Sequence, residues 1–221
     1  MKQLTLLANK YGTDKGTMFR ECHGYTEIYE DYIKKFIGKH PRILEIGIED
    51  GNSLKMWNDF FVGDCEIYAI DIVEDKKIYE TENTHIFIQD QGSRTDWEKF
   101  KSQFENNCKE FFDIVIEDGS HYPIHQMITL FELCDCVKKG DGIYIMEDLH
   151  SNIDRYSYFL NNVNNTETPL FSLSFLEYSP FLDSDENEHL FNNLNDFTLF
   201  SHHNNKGEFK ERSITAIINF R

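Results

Sequence analysis

Two stretches of the chain gather residues that could do chemistry together: IEDGSHYPIH at Ile116–His125 and IMEDLH at Ile145–His150. Each closes an apolar β-type run, and the carboxyl ends of adjacent parallel strands converge on one crevice. Asp118, His121, Glu147 and Asp148 are therefore expected to meet in space although they are distant in sequence. Carboxylates without cysteine suit a hard divalent ion, Mg²⁺ by default. Glu147 and Asp148 are neighbours and would face opposite sides of a regular strand. Both can be ligands only if the chain leaves strand geometry there, which Leu149-His150-Ser151 allows. Glu117 and Asp118 pose the same problem, and only Asp118 is assigned inward. A nearby dication favours a neutral imidazole, which places His121 as a general base. Tyr122 and His150 are candidates for contact with a substrate, and His125 is a supporting residue at best and equally a surface residue. The plain alternative, a helix-capping turn and a solvated strand end, stays open on these residues alone.

A second grouping lies upstream in LEIGIEDGNS, where Glu45, Gly47 and Gly51 stand in an E-x-G-x-x-x-G arrangement and Ser53 opens the next helix. A glycine turn after the first strand lets a ligand approach the backbone. A dinucleotide loop would read GxGxxG and cradle a pyrophosphate. Here Glu45, Glu49 and Asp50 would repel phosphate, whereas S-adenosylmethionine has none and carries a sulfonium and an amino group. Asp71, at the end of YAIDI, is placed to accept the ribose hydroxyls. Asp90 and Gln91 follow the third strand, where an adenine ring would lie.

The elements that must position these residues form a βαβ rhythm. Strands are expected at Arg42–Gly47, Glu66–Ile72, His85–Gln89, Phe112–Glu117 and Gly142–Met146, nearly continuous in hydrophobicity as in a buried parallel sheet. Helices are expected at Ser53–Phe61, Thr95–Phe104 and Ile124–Lys138. The last shows Ile124, Met127, Ile128, Phe131 and Cys134 on one stripe, with Pro123 at its first turn. Two more strands, Phe197–His203 and Ser213–Phe220, are joined by the turn NNKG. The expected fold is α/β: a mostly parallel, Rossmann-like sheet closed by an antiparallel hairpin. Residues 1–40 read as a helical cap, residues 41–221 as the ligand-binding domain, and residues 151–196 within it as a variable connection or lid.

The chain has 221 residues, with 22 Lys+Arg against 39 Asp+Glu and a net charge of −17. This acidity argues against nucleic acid as a partner and against anionic membrane surfaces. No stretch approaches the roughly 18–20 apolar residues of a membrane span. Leu4 to Ala8 is too short an apolar run for a signal-peptide core. The five cysteines lack C-x-x-C spacing and read as free thiols in a reducing compartment. The expectation is a cytoplasmic protein without membrane insertion; a homo-oligomer is left open.

At these residues the sequence resembles the metal-dependent sugar O-methyltransferases of antibiotic biosynthesis, of the mycinamicin and macrocin type, and the related proteins labelled cephalosporin hydroxylases. The matching stretches are KYGTDKG at Lys10–Gly16 with the following HGYTEIY, then LEIGIEDGNSLKMW, AIDI, QDQGS, IEDGSH and MEDLH. The resemblance implies a class I methyltransferase fold, S-adenosylmethionine and Mg²⁺ as cofactors, Asp118, Glu147 and Asp148 as metal ligands, and His121 as the base. It also implies that the segment from Tyr11 to Lys15, with Tyr11 and Thr13, lies near the cofactor or acceptor. The implied acceptor is a sugar hydroxyl of a surface glycan or glycosylated metabolite, with a phosphate or phosphoramidate oxygen as the alternative. A non-haem iron hydroxylase would want two histidines and one carboxylate, and carboxylates dominate here. A non-catalytic binding subunit is the remaining alternative.

Overall fold

The computed structural model describes residues 1–18, 22–149, 181–203 and 212–221. Seven strands form one sheet: β1 (Arg42–Ile46), β2 (Glu66–Asp71), β3 (Thr84–Ile88), β4 (Ile114–Glu117), β5 (Ile143–Met146), β6 (Leu194–His203) and β7 (Arg212–Phe220). Their order is β3-β2-β1-β4-β5-β7-β6. β1 to β5 pair in parallel, and β7 runs antiparallel to both β5 and β6. The order reverses between β1 and β4, which opens the crevice where ligands bind in such sheets.

The Ile- and Val-rich strands are buried on both faces, so their side chains feed two cores. Against one face pack α1 (Gln3–Tyr11), α2 (Thr26–Ile33) and α3 (Asn52–Phe60), with Leu4, Tyr25, Tyr29, Trp57 and Phe60 buried beside Ile43, Ile114 and Ile145. Against the other pack α4 (Arg94–Lys101), α5 (Pro123–Leu133) and α6 (Ser184–Asn193), with Trp97, Phe100, Leu130 and Leu190 beside Leu44, Val115 and Tyr144. Residues of the expected cap thus share a core with the sheet.

The parallel sheet and its antiparallel close match the expectation from sequence. Boundaries moved where packing overrode periodicity. α5 ends at Leu133 rather than Lys138, because Phe112 bridges Val137 and its carbonyl accepts the Lys138 N–H, drawing that segment onto the start of β4. β6 begins at Leu194. α6, read as irregular from sequence, is opened by Asp183, whose carboxylate accepts the N–H groups of Asp185 and Glu186 while Glu186 reaches back to the Asp183 N–H. That D-x-x-E capping box was present in the sequence. The NNKG turn, His150 and residues 151–180 of the expected lid lie outside the described residues.

The cysteine reading needs correction. Cys108 and Cys136 are joined, with Cα atoms 5.1 Å apart, while Cys22, Cys65 and Cys134 are outside that link and buried. Their separation of 28 residues gave no spacing signal. The contact exists because the Phe111 and Phe112 N–H groups bond to the Cys136 carbonyl, bringing the two segments together.

Candidate active site

Strand alternation selects which carboxylates face one another. Ile43 of β1, Ile114 and Ile116 of β4, and Ile143 and Ile145 of β5 all face the α1–α3 core. Continued by period two, the same side receives Glu45, Asp118 and Glu147, while Glu117 points to the other. Lys15, between α1 and α2, enters from that side and is buried. Its ammonium donates to the Asp118 carboxylate and to Glu147 Oε2 at 2.9 Å, and lies 3.9 Å from Glu45 Oε1. Burial opposes its charge, but Asp118, Glu147 and Glu45 outweigh that and hold it well above the usual lysine range. Burial pushes the Glu45 carboxyl up to about 7 against the pull of Lys15. Burial also raises Asp118, and burial together with the Asp118 charge holds Glu147 well above the carboxylate range.

Asp148 should have faced the far side. It adopts φ 54°, a left-handed conformation, immediately after β5 ends. Gln126 Nε2 donates to the Glu147 carbonyl at 3.0 Å and fixes the turn. The reversal brings Asp148 back beside Asp118, where Oδ1 accepts the Tyr25 hydroxyl at 2.6 Å. His121 is also left-handed, at φ 56°. Such conformations in non-glycine residues cost about 1–3 kcal/mol each and collect at functional sites. His121 Nε2 lies 3.9 Å from Asp118 Oδ1 and 3.9 Å from Asp148 Oδ2. One ligating atom from each of Asp118, His121 and Asp148 lies within 4.8 Å of the others. The two carboxylates, with no sulfur beside them, fit a hard divalent ion. Glu147 Oε1, buried and accepting no hydrogen bond among the described residues, is a further oxygen on the same side.

Beside this group a cavity of about 880 Å³ runs over the ends of β1, β2 and β3. It is lined by Thr13, Gly47, Ser53, Asp71, Asp90, Gln91, Asp118, His121, Tyr122 and Asp148 among others. Gly47, at φ 90°, must be glycine: a Cβ there would lie 2.0 Å from the Asp118 carbonyl oxygen. Asp71 accepts the N–H groups of Ile48 at 3.0 Å and Val73 at 2.9 Å, so it also braces the glycine turn. Glu45 sits below the cavity, taking Ser53 Oγ at 2.9 Å and Trp57 Nε1 at 3.1 Å on Oε2. Asp90 Oδ1 accepts the Gly92 N–H at 2.8 Å.

Some expected residues do other work. Gln91 is buried: Nε2 donates to Glu117 Oε1 at 2.8 Å and Oε1 accepts the Ser120 N–H at 2.6 Å. Its amide clamps the loop that carries Asp118 and His121. A Cβ on Gly119 would lie 1.9 Å from Gln91 Oε1, so the clamp requires glycine there. Tyr11 stands outside the cavity lining: as the last residue of α1 it turns to α3, and its hydroxyl donates to Asp59. Gly51 backs onto the Tyr79 ring. His125 Nδ1 lies 2.8 Å from Ser120 Oγ. Lys15 and Tyr25 were given no individual role by sequence reasoning, although the KYGTDKG and HGYTEIY stretches contain them. His23, in the same stretch, stacks on Tyr25 with ring centroids 4.9 Å apart.

The strand order, the antiparallel close and the cavity over the β1–β3 ends define the class I methyltransferase fold. Solved structures bear this out. The chain aligns over 99% of its length with 55% of MycE, a methyltransferase of the mycinamycin biosynthetic pathway solved with Mg and SAH, at a TM-score of 0.71 and 22% identity. A SAM-dependent methyltransferase from Archaeoglobus fulgidus aligns over the whole of both chains at a TM-score of 0.51 and 14% identity. In sequence, the chain is 33% identical over 150 residues to the 8-demethyl-8-(2-methoxy-alpha-L-rhamnosyl)-tetracenomycin-C 3'-O-methyltransferase of Streptomyces olivaceus, a match covering 65% of this chain and 36% of that protein. It is 32% identical over 153 residues to the mycinamicin VI 2''-O-methyltransferase of Micromonospora griseorubida, covering 66% and 36%. The resemblance carried by the motifs is thus to sugar O-methyltransferases, and the match spans little more than a third of their length. No family model matches the chain.

Proposed function

We propose that this chain is an S-adenosylmethionine- and Mg²⁺-dependent O-methyltransferase acting on a sugar hydroxyl of a glycosylated small molecule. The observation that carries it is the meeting of Asp118, Asp148 and His121 at the edge of the β1–β3 cavity. The relatives named above, which methylate rhamnosyl and mycinamicin acceptors, support the acceptor class.

Asp118 and Asp148 would hold the ion, with Glu147 behind them, and Gly47, Ser53, Asp71 and Asp90 would surround the cofactor. The ion would supply Lewis acidity to the acceptor hydroxyl, and the cofactor the methyl group. His121 takes the hydroxyl proton at Nε2, the nitrogen that faces both carboxylates. Asp118 and Asp148 then stabilise the imidazolium through their charge. Tyr122, half-exposed beside His121, offers the acceptor an aromatic face. Gln91 and Tyr25 touch none of the reacting atoms; they hold the His121 loop and Asp148 in register.

Incubating the chain with labelled S-adenosylmethionine and a panel of glycosylated small molecules, with Mg²⁺ and then with chelator, tests this reading. Methyl transfer that needs the ion is expected. Transfer indifferent to chelator would overturn the metal assignment, and no cofactor binding by calorimetry would overturn the enzyme.

A further inference from the structure

The ammonium of Lys15 lies on Asp118, assigned above to the ion, and on Glu147 behind it. A buried charge persists only where it is paired. Glu45, Asp118 and Glu147 crowd one side of the sheet ends, and without a metal they need a positive charge from the chain. A divalent ion on Asp118 changes that balance, because a dication and an ammonium sharing one carboxylate repel each other strongly in a poorly solvated site. The ammonium keeps Glu147 Oε2, at 2.9 Å, and needs a replacement for Asp118 within reach. Glu45 Oε1 is 3.9 Å from Lys15 Nζ, buried, and accepts no hydrogen bond among the described residues. The other oxygen of Glu45 is pinned by Ser53 and Trp57, so Oε1 is held in place.

We propose that Lys15 is a tethered stand-in cation: it bridges Asp118 and Glu147 when the site holds no metal, and closes onto Glu45 Oε1 when a divalent ion takes Asp118. This rests on the metal reading of the site. It makes Glu45 a positioning residue for ion binding although it does not touch the ion. It also gives the 1–40 segment a share in the site, because metal loading moves a residue carried between α1 and α2.

The test is calorimetric titration of the whole chain with MgCl₂, without S-adenosylmethionine, for wild type, Lys15→Met and Glu45→Gln. Removing the competing ammonium is expected to tighten Mg²⁺ binding roughly tenfold, and removing its landing charge to weaken it roughly tenfold, the size of effect that groups behind metal ligands commonly have. Mg²⁺ should also raise the melting temperature of Lys15→Met more than that of wild type. Wild-type binding with no tightening in Lys15→Met, or no weakening in Glu45→Gln, would overturn the stand-in role and leave the metal site intact. If Lys15→Met does not fold, Glu45→Gln decides alone. No binding by wild type or either variant would overturn the metal reading, and this inference with it.

Discussion

The Tyr25 hydroxyl donates to Asp148 Oδ1 at 2.6 Å, across 123 residues of chain, and both residues are buried. Tyr25 stacks on Tyr29 with centroids 5.8 Å apart, and Tyr29 is packed in the core under the sheet. Asp148 is therefore aimed by a rigid aromatic pair, and its left-handed backbone by itself would leave the carboxylate free to turn. Tyr25→Phe keeps the packing and removes the aim. It is expected to weaken Mg²⁺ binding by about tenfold, as loss of a group behind a metal ligand does. Unchanged Mg²⁺ affinity in calorimetry would show that Asp148 does not depend on Tyr25.

His121 is the base only if its loss spares binding. Its Nδ1 is buried and accepts no hydrogen bond among the described residues, so the ring braces no neighbour through that atom. His121→Ala should lower turnover by about 10²–10⁴-fold, the usual range for a general base, and leave S-adenosylmethionine affinity within about twofold. Turnover near the wild-type value would end the assignment. Alanine keeps the Cβ that makes this left-handed position costly, so the substitution relieves no backbone strain there.

Gln91 separates loop-holding from ring-binding. If its amide serves the loop, Gln91→Leu takes a hydrogen bond from buried Glu117 and another from the Ser120 N–H, at a cost of about 1–3 kcal/mol. Urea unfolding should report that loss, and turnover should fall while cofactor affinity changes little. A variant as stable as wild type but impaired in cofactor binding would return Gln91 to the adenine role.

The order of the sheet was legible because βαβ connectivity follows from apolar runs and spacing, and the meeting of Asp118 with Glu147 and Asp148 followed from that order. The objection that Glu147 and Asp148 must diverge was sound for a regular strand. Only the left-handed Asp148, invisible in composition, resolves it. Lys15 illustrates a different limit. Nothing in a period or a motif says which buried charge will complete a carboxylate cluster, because that depends on how the α1–α2 connection packs against the sheet ends. Gln91 shows the converse. Its position after the third strand was read correctly, and its direction was decided by Glu117, a residue on the opposite side from Asp118.

The thiols provide a check on burial that is independent of the active site. Burial pushes Cys65 and Cys134 up to about 12 in the folded chain, from 9.0. Both groups keep their protons in the native state at a pH where the unfolded chain releases them. The contribution is constant below pH 9, and stability falls as pH rises from about 9 to about 12, by at most about 1.4 kcal/mol per pH unit for each thiol. Cys65→Ala should flatten part of that fall in urea titrations at pH 8 and pH 10. In the same protein at pH 8, a thiol reagent should react slowly while the chain is folded. Unfolded without reductant it should count three thiols, Cys22, Cys65 and Cys134, and after reduction five. Five thiols before reduction would restore the reading of Cys108 and Cys136 as free. A fast native reaction at Cys65 or Cys134 would show that the core around them is open to solvent.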